Sequence, residues 1–260
     1  MDKSGGKKGI HKTTIVLVVI LILVSSIGLI NFVIYPAARH YYVTHRNYEL
    51  YGGMTEELKK SGLFEDMQSG RSFCFLGDSI TIGTVTEGIP WYQPLIPYIK
   101  GSISNVSYGG WMTQTLINKQ DEIPISQVYV VAIGINDVLF PNEETAPATS
   151  EEYINRISRL SDILKNKNPD AKIYFITAWP FIDMGDYYSQ RGEDFRASLV
   201  EWCKTNDCRS IDPNPYILNA FNEHGASRFM INSFHPNAPE GVGLFSYAVL
   251  KADLEQNKGK

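Results

Sequence analysis

Phe75-Leu76-Gly77-Asp78-Ser79-Ile80-Thr81 is the stretch on which the reading of this chain turns. An apolar, β-rich run from Ser72 to Leu76 enters a Gly-Asp-Ser turn, and a second structured segment starts at once. That is how a buried strand ends at the edge of a sheet. Outward from this turn, short β-branched or aromatic runs alternate with longer amphipathic ones. The alternation predicts βαβ units around a parallel sheet. Strands are expected at Ser72–Leu76, Asn105–Ser107, Gln127–Ile133, Lys172–Thr177 and Arg209–Ile211. Helices are expected near Tyr92–Ile99, Met112–Lys119, Ser150–Lys165, Arg196–Thr205 and Gly241–Leu254. In the third of these, Ser150 and Glu152 mark the start, and Ile154, Ile157, Leu160 and Leu164 recur at three to four residues. The expected fold class is α/β: a flavodoxin-like three-layer α/β/α domain with a mainly parallel five-stranded sheet, preceded by one N-terminal transmembrane helix.

Composition narrows the function classes. The 260 residues are 43% hydrophobic and 20% charged, with a formal charge of −4, so the broad basic field that displaces counterions from nucleic acid is missing. No nucleic-acid partner is expected. Three cysteines (Cys74, Cys203, Cys208) and five histidines are scattered, without C-x-x-C or H-E-x-x-H spacing, and no metal and no cofactor is expected. Residues 1–35 carry Lys3, Lys7, Lys8 and Lys12 against Asp2, a balance of +3, while the remainder of the chain carries −7.

Ile15 to Tyr35 is a run of 21 residues without a formal charge. As a helix it would extend roughly 30 Å, the thickness of a bilayer's hydrocarbon core. Val24-Ser25-Ser26 offers small residues suited to signal-peptide cleavage, but the apolar run continues past them, which favours an uncleaved anchor. Lysines precede the span and only Arg39 and Arg46 follow closely, so the N-terminus is expected in the cytoplasm and the rest of the chain outside, single-pass at the cell membrane. The expected organisation is a basic tail over 1–14, the anchor over 15–35, a juxtamembrane connector over 36–70 with Tyr41, Tyr42, Tyr48 and Tyr51 as an interfacial belt, and the α/β domain over 71–260.

Three further blocks follow the first, each at an expected strand end or before the last helix: Asn105-Val106-Ser107-Tyr108-Gly109-Gly110-Trp111, Val131-Ala132-Ile133-Gly134-Ile135-Asn136-Asp137 and Asn232-Ser233-Phe234-His235-Pro236-Asn237. Open α/β sheets hold ligands at such ends. In order and spacing, the Ser, Gly, Asn and His of these blocks resemble the SGNH (GDSL-type) hydrolases, over roughly Ser72 to Leu254. The resemblance implies Ser79 as nucleophile and His235 as base. It also implies an oxyanion hole made by the backbone N–H of Ser79, the N–H of Gly110 (or of Gly109, one position away) and the side-chain amide of Asn136. Serine needs such help, because its hydroxyl is a weak nucleophile at neutral pH.

One position departs from the family. Where the pattern carries Asp three residues before the histidine, this chain has Asn232. An amide brings no charge, and its amino group can select the wrong imidazole tautomer. Three readings stay open: a Ser79–His235 dyad, a substitute carboxylate from Asp212, Glu223 or Glu240, or a catalytically silent carbohydrate-binding or assembly module. Other residues have plainer readings. His224 reads as a solvated loop histidine, and Asp78 and Asp137 as acceptors for backbone turns. Trp111 and Trp179 are weaker candidates for stacking on a sugar, with packing in the aromatic core an equal alternative, Cys203 and Cys208 read as two free thiols, and Asn105-Val106-Ser107 is a glycosylation acceptor discounted as buried strand. The implied activity is that of a serine esterase or acyltransferase on O-acyl, chiefly O-acetyl, groups of a cell-surface or secreted polysaccharide. A lipase or thioesterase acting on a lipid-like ester is the alternative.

Overall fold

The computed structural model describes residues 16, 20–34 and 46–257, which fall in two units, Met1–Arg46 and Asn47–Lys260. The expected basic tail 1–14, residues 15, 17–19 and 35 of the expected span, and Tyr41 and Tyr42 lie outside the described residues. In the first unit, residues 20–29 are α-helical and pass into a π-helical turn at Ile30–Ile34. Its apolar side chains are exposed, and Ser26 Oγ donates to the Ile22 carbonyl at 2.7 Å, a local bond that keeps a hydroxyl satisfied inside an apolar helix. Among the described residues no helix is long and apolar enough to cross a membrane.

The second unit is built on five strands: β1 (Phe73–Gly77), β2 (Ile103–Ser107), β3 (Val128–Ala132), β4 (Lys172–Ile176) and β5 (Arg209–Ile211). All pairings are parallel, in the order β2-β1-β3-β4-β5. β1 and β3 are buried at every position, as expected for continuous apolar runs covered on both faces. β2 is an edge strand whose residues alternate between exposed and half-buried until Ser107. This corrects the reading of Asn105 as buried, because an edge strand has one neighbour rather than two. Register carries the main consequence for function. Gly77 pairs with both Ser107 and Ala132, so β1, β2 and β3 end level and the loops that follow start from one edge of the sheet.

Among the described residues eight α-helices complete this unit: α1 (Gly62–Gln68), α2 (Ser79–Ile82), α3 (Thr113–Asn118), α4 (Ile135–Leu139), α5 (Ser150–Lys167), α6 (Asp186–Thr205), α7 (Asn214–His224) and α8 (Glu240–Asn257). α5 is capped by Thr149, whose hydroxyl accepts the Glu152 N–H at 3.2 Å, while Glu152 accepts the Ala148 N–H at 2.7 Å, a reciprocal arrangement that satisfies free donors at a helix start. Its Tyr153, Ile157, Leu160 and Leu164 are buried. The segment expected as Tyr92–Ile99 is a 3₁₀ helix, Gln93–Tyr98, with Pro97 inside it. That proline has no N–H for the α-helical ladder. Part of the stretch expected as a connector, including Tyr48, Leu50, Leu58, Leu63, Phe64 and Met67, is buried.

α6 starts ten residues before the expected Arg196, and its polar N-terminal half is held by a buried cation. Arg191 donates to the carbonyls of Ala148 at 2.9 Å and Asp137 at 3.0 Å, and to that of Pro147. Its guanidinium also lies 4.5 Å from the centre of the Phe195 ring.

Candidate active site

Local chemistry fixes Ser79 first. At Gly77 a Cβ would collide with the Ala132 carbonyl of β3 and the Thr81 side chain, so only glycine lets the chain leave β1 this close to its neighbour. Asp78 then caps α2: its Oδ1 accepts the Ile80 N–H at 3.0 Å. Ser79 opens the helix at 7% exposure. Among the described residues no hydrogen bond takes up its backbone N–H, so that donor is free for a ligand.

His235 comes from the other end of the chain. The Met230–Pro236 bridge closes a tight loop in which the Ile231 N–H donates to the His235 carbonyl at 2.9 Å. The Ile182 N–H donates to the Ser233 carbonyl at 2.9 Å, tying the loop to the segment after β4. Asn237 accepts the Gly241 N–H at 2.8 Å and fixes the loop to the first turn of α8. The result places His235 Nε2 2.9 Å from Ser79 Oγ. A hydroxyl at that distance from an imidazole nitrogen is the pair that activates an oxygen nucleophile. Burial holds the His235 pKa below its ordinary value, keeping the ring neutral and able to accept a proton at lower pH than a solvated histidine.

Asn232 stands at the far nitrogen of the same ring. Its Oδ1 accepts the N–H groups of Phe234 at 3.1 Å and His235 at 2.9 Å. These two donors fix the rotation of the amide, since turning it over would aim its NH₂ at them. His235 Nδ1 lies 3.2 Å from Oδ1 and 3.1 Å from Nδ2. Two tautomers are therefore served. With Nδ1 protonated the ring donates to Oδ1 and leaves Nε2 free to accept from Ser79; with Nδ1 bare it accepts from Nδ2 and Nε2 carries the proton. An aspartate would serve only the first.

The candidate substitute carboxylates do not meet the ring. Asp212 accepts from Thr177 Oγ1 at 2.8 Å and Asn214 Nδ2 at 2.8 Å. Glu223 takes Asn219 Nδ2 at 2.8 Å and lies 3.7 Å from His224. Glu240 begins α8, and among the described residues the hydrogen bonds of the His235 ring run to Ser79 and Asn232. His224 is the last residue of α7 rather than a loop residue.

The remaining donors come from the loops after β2 and β3. Gly110 has φ +80°, a left-handed conformation that glycine adopts without strain, and among the described residues its N–H is taken by no hydrogen bond. Asn136 is buried, and its Nδ2 donates to the Trp111 carbonyl at 2.9 Å. That bond joins α4 to the glycine loop and leaves the second amide hydrogen for a ligand. Asp137 adds a second tie by accepting the Thr113 N–H at 3.0 and 3.2 Å. Trp111 is half-buried beside this loop, its ring 6.1 Å from that of the exposed Tyr108. Of the two readings of Trp179 the structure takes core packing over sugar stacking: it is 2% exposed and packs on Phe245 at 4.8 Å and Trp91 at 5.4 Å.

Beneath the site lie two buried acids. Burial pushes Asp78 up to about 7, with the charge of Asp137 adding to the rise, and burial pushes Asp137 up to about 6. Asp78 Oδ2 is buried without a hydrogen-bond partner among the described residues. Both acids bind backbone at turns, as the sequence suggests. Arg191 was not legible as part of this framework; its only signal is an arginine inside a helix whose first half reads as polar.

Comparison with known proteins matches this architecture. The model of the GDSL-like lipase/acylhydrolase family fits residues 75–239, more than half of the chain. Among curated proteins no relative matches. Solved structures similar to this one include a protein described as a GDSL-like lipase from Parabacteroides merdae, with a TM-score of 0.61 and 18% identity over 72% of this chain and 97% of that one. An acetyl-xylooligosaccharide esterase from Geobacillus stearothermophilus gives 0.60 and 18% over 72% and 96%. A member of the lipolytic G-D-S-L family from Veillonella parvula gives 0.56 and 18% over 69% and 96%. With the family model spanning the turn after β1, the loops after β2 and β3 and the histidine loop, the chain belongs to the GDSL-like lipase/acylhydrolase family and is a serine hydrolase that acts on ester bonds.

Proposed function

We propose that Ser79 is the nucleophile and His235 the general base of an esterase or acyltransferase that acts on O-acetyl groups of a cell-surface or secreted polysaccharide. The observation that carries the reading is the 2.9 Å contact between Ser79 Oγ and His235 Nε2. Ser79 Oγ attacks the ester carbonyl carbon as its proton passes to Nε2. The carbonyl oxygen, now negative, receives hydrogen bonds from the N–H groups of Ser79 and Gly110 and from Asn136 Nδ2. Collapse expels the alkoxide, which takes the proton from His235 and leaves an acyl-serine. Water then attacks in the same manner for hydrolysis, or an acceptor hydroxyl for transfer. Asn232 positions the ring through Oδ1 and stabilises the imidazolium less than a carboxylate would.

The carbohydrate preference draws on the acetyl-xylooligosaccharide esterase among similar structures and on the half-buried Trp111 and exposed Tyr108 beside the glycine loop. The proposed setting, a single-pass anchor with its N-terminus in the cytoplasm and the hydrolase domain outside, draws on the uncharged run Ile15–Tyr35 behind four lysines.

A fluorophosphonate probe tests the chemistry. Wild type should label and Ser79→Ala should not; labelling that survives Ser79→Ala, or none in wild type, removes the serine-nucleophile assignment. Release of acetate from acetylated xylan should exceed cleavage of long-chain acyl esters, and the reverse preference would favour the lipase reading. Protease added to intact cells should degrade the hydrolase domain, whereas full protection would overturn the outward orientation.

A further inference from the structure

We propose that Cys203 and Cys208 are a reversible dithiol–disulfide pair that braces the edge strand β5 against α6. Cys203 lies in the last turn of α6 and is 6% exposed, while Cys208 sits just before β5 and is half-buried. Their sulfurs are 3.0 Å apart, about 1 Å more than the roughly 2.05 Å of an S–S bond. Only four residues separate them, and the Cys208 N–H donates to the Asn206 carbonyl at 2.7 Å, so a tight local turn, not a long flexible loop, holds the two thiols face to face.

The pair is reachable from outside. Both cysteines line a cavity of about 660 Å³, which Lys165, Lys172, Lys204 and Arg209 line together with Asp170 and Asp207, and a second cavity of about 230 Å³ on α6 and β5. The basic side chains outnumber the carboxylates in the first cavity, an excess that suits a small anionic disulfide such as oxidised glutathione. The third cysteine is different: Cys74 is fully buried in the middle of β1 and serves as an internal control.

The reaction balances as thiol–disulfide exchange. The Cys208 thiolate attacks one sulfur of the external disulfide and one external thiolate leaves. Cys203, as thiolate, then attacks Cys208 Sγ, forming the internal S–S bond and expelling the second external thiolate. Two protein thiols are oxidised, one external disulfide is reduced to two thiols, and the two thiol protons end on those products. β5 is the shortest strand and pairs only with β4, so a bond at its head restrains the least supported part of the sheet. Ser79 and Asn136 follow the opposite, C-terminal ends of their strands, so catalysis should not change with the redox state.

The test uses the purified full-length chain and does not depend on the hydrolase assignment. After incubation with oxidised glutathione, denaturation and alkylation, trypsin without reductant cuts after Arg196, Lys204 and Arg209, the cut at Lys204 falling between the two cysteines. The expected product is Ala197–Lys204 joined to Thr205–Arg209, about 2 Da lighter than the two peptides together, with titratable thiols falling from three to one and restored by dithiothreitol. Cys203→Ser should accumulate the glutathione adduct on Cys208 that wild type resolves. The oxidised form should melt about 4–8 °C above the reduced one. Three thiols persisting, or a stable Cys208 adduct in wild type without the joined peptide, overturns the pairing, and the wild-type peptide map decides even where Cys203→Ser does not fold. Equal melting temperatures for the two forms overturn the bracing.

Discussion

The turn that carries Ser79 and the loop that carries His235 differ in how firmly each is held. Around the serine, Gly77 presses against β3, Asp78 caps α2, and Asp137 and Asn136 bind the glycine loop, with Gly77, Asp78, Ser79, Asn136 and Asp137 all buried. The histidine loop is more exposed, and the orientation of its ring depends on one amide, Asn232, which offers Nδ1 both an acceptor and a donor. The place of the proposed nucleophile is therefore fixed many times over, while the tautomer of its proposed base is fixed weakly. A hydrolase built this way should lose much when the rigid side is cut and gain when the weak side is reinforced.

The largest expected effect lies on the rigid side. Asn136→Ala removes one proposed oxyanion donor and also the tie to the Trp111 carbonyl, and should lower kcat by about 10²–10³-fold. Retained turnover of a small acetate ester would show that Asn136 only braces the loop. On the weak side, Asn232→Asp should raise turnover by about tenfold or more, because a carboxylate serves only the productive tautomer and stabilises the imidazolium. A variant no faster than wild type would mean that the amide already orients the ring as well as a charge would.

The pH profile sharpens the same contrast. As the proposed base His235 must be deprotonated to act, and burial lowers its pKa, so the acid limb of kcat/KM should fall below the ordinary value of 6.5. In Asn232→Asp the new negative charge favours the imidazolium, and the limb should move to higher pH. A limb that stays in place would separate the residue at 232 from the titration of His235.

The smallest effect concerns the buried acids under the serine. Asp78 and Asp137 keep their protons to about 7 and 6 in the fold, against 3.8 for an ordinary carboxyl. Their contribution to stability is thus complete below about pH 3.8 and is lost as pH rises through about 6–7. Asp78→Asn keeps an acceptor for Ile80 but cannot ionise, and should reduce the fall in Tm between pH 5 and pH 8 by about 2–4 °C. An identical fall in wild type and variant would assign that loss of stability elsewhere.

Much of the fold is legible because its signals are local. Phe73–Gly77 and Val128–Ala132 are apolar runs too short for helices, and β5 has the bounds that its sequence predicts, Arg209–Ile211. Other elements escape a local reading. α7 begins with Asn214-Pro215 and mixes polar with apolar residues, and the first half of α6 is polar with Gly192 inside it, stabilised by the distant carbonyls that Arg191 reaches. Residues 48–67 read as a connector because their burial depends on partners far along the chain, such as Asp253, which accepts the Leu63 N–H at 2.8 Å.

By itself, then, the sequence determined the alternation of strands and helices, the four blocks carrying Ser79, Gly110, Asn136 and His235, and the amide at position 232, since each rests on residue type and spacing along the chain. Only the tertiary structure decided what that amide does. Its two contacts with His235 Nδ1, the engagement of Asp212 and Glu223 elsewhere, the burial of Trp179 among aromatic rings and the meeting of Cys203 with Cys208 all depend on how side chains are turned and packed in three dimensions. Spacing in sequence sets the face on which a residue emerges; the hydrogen bonds and packing around it set the atom that it presents.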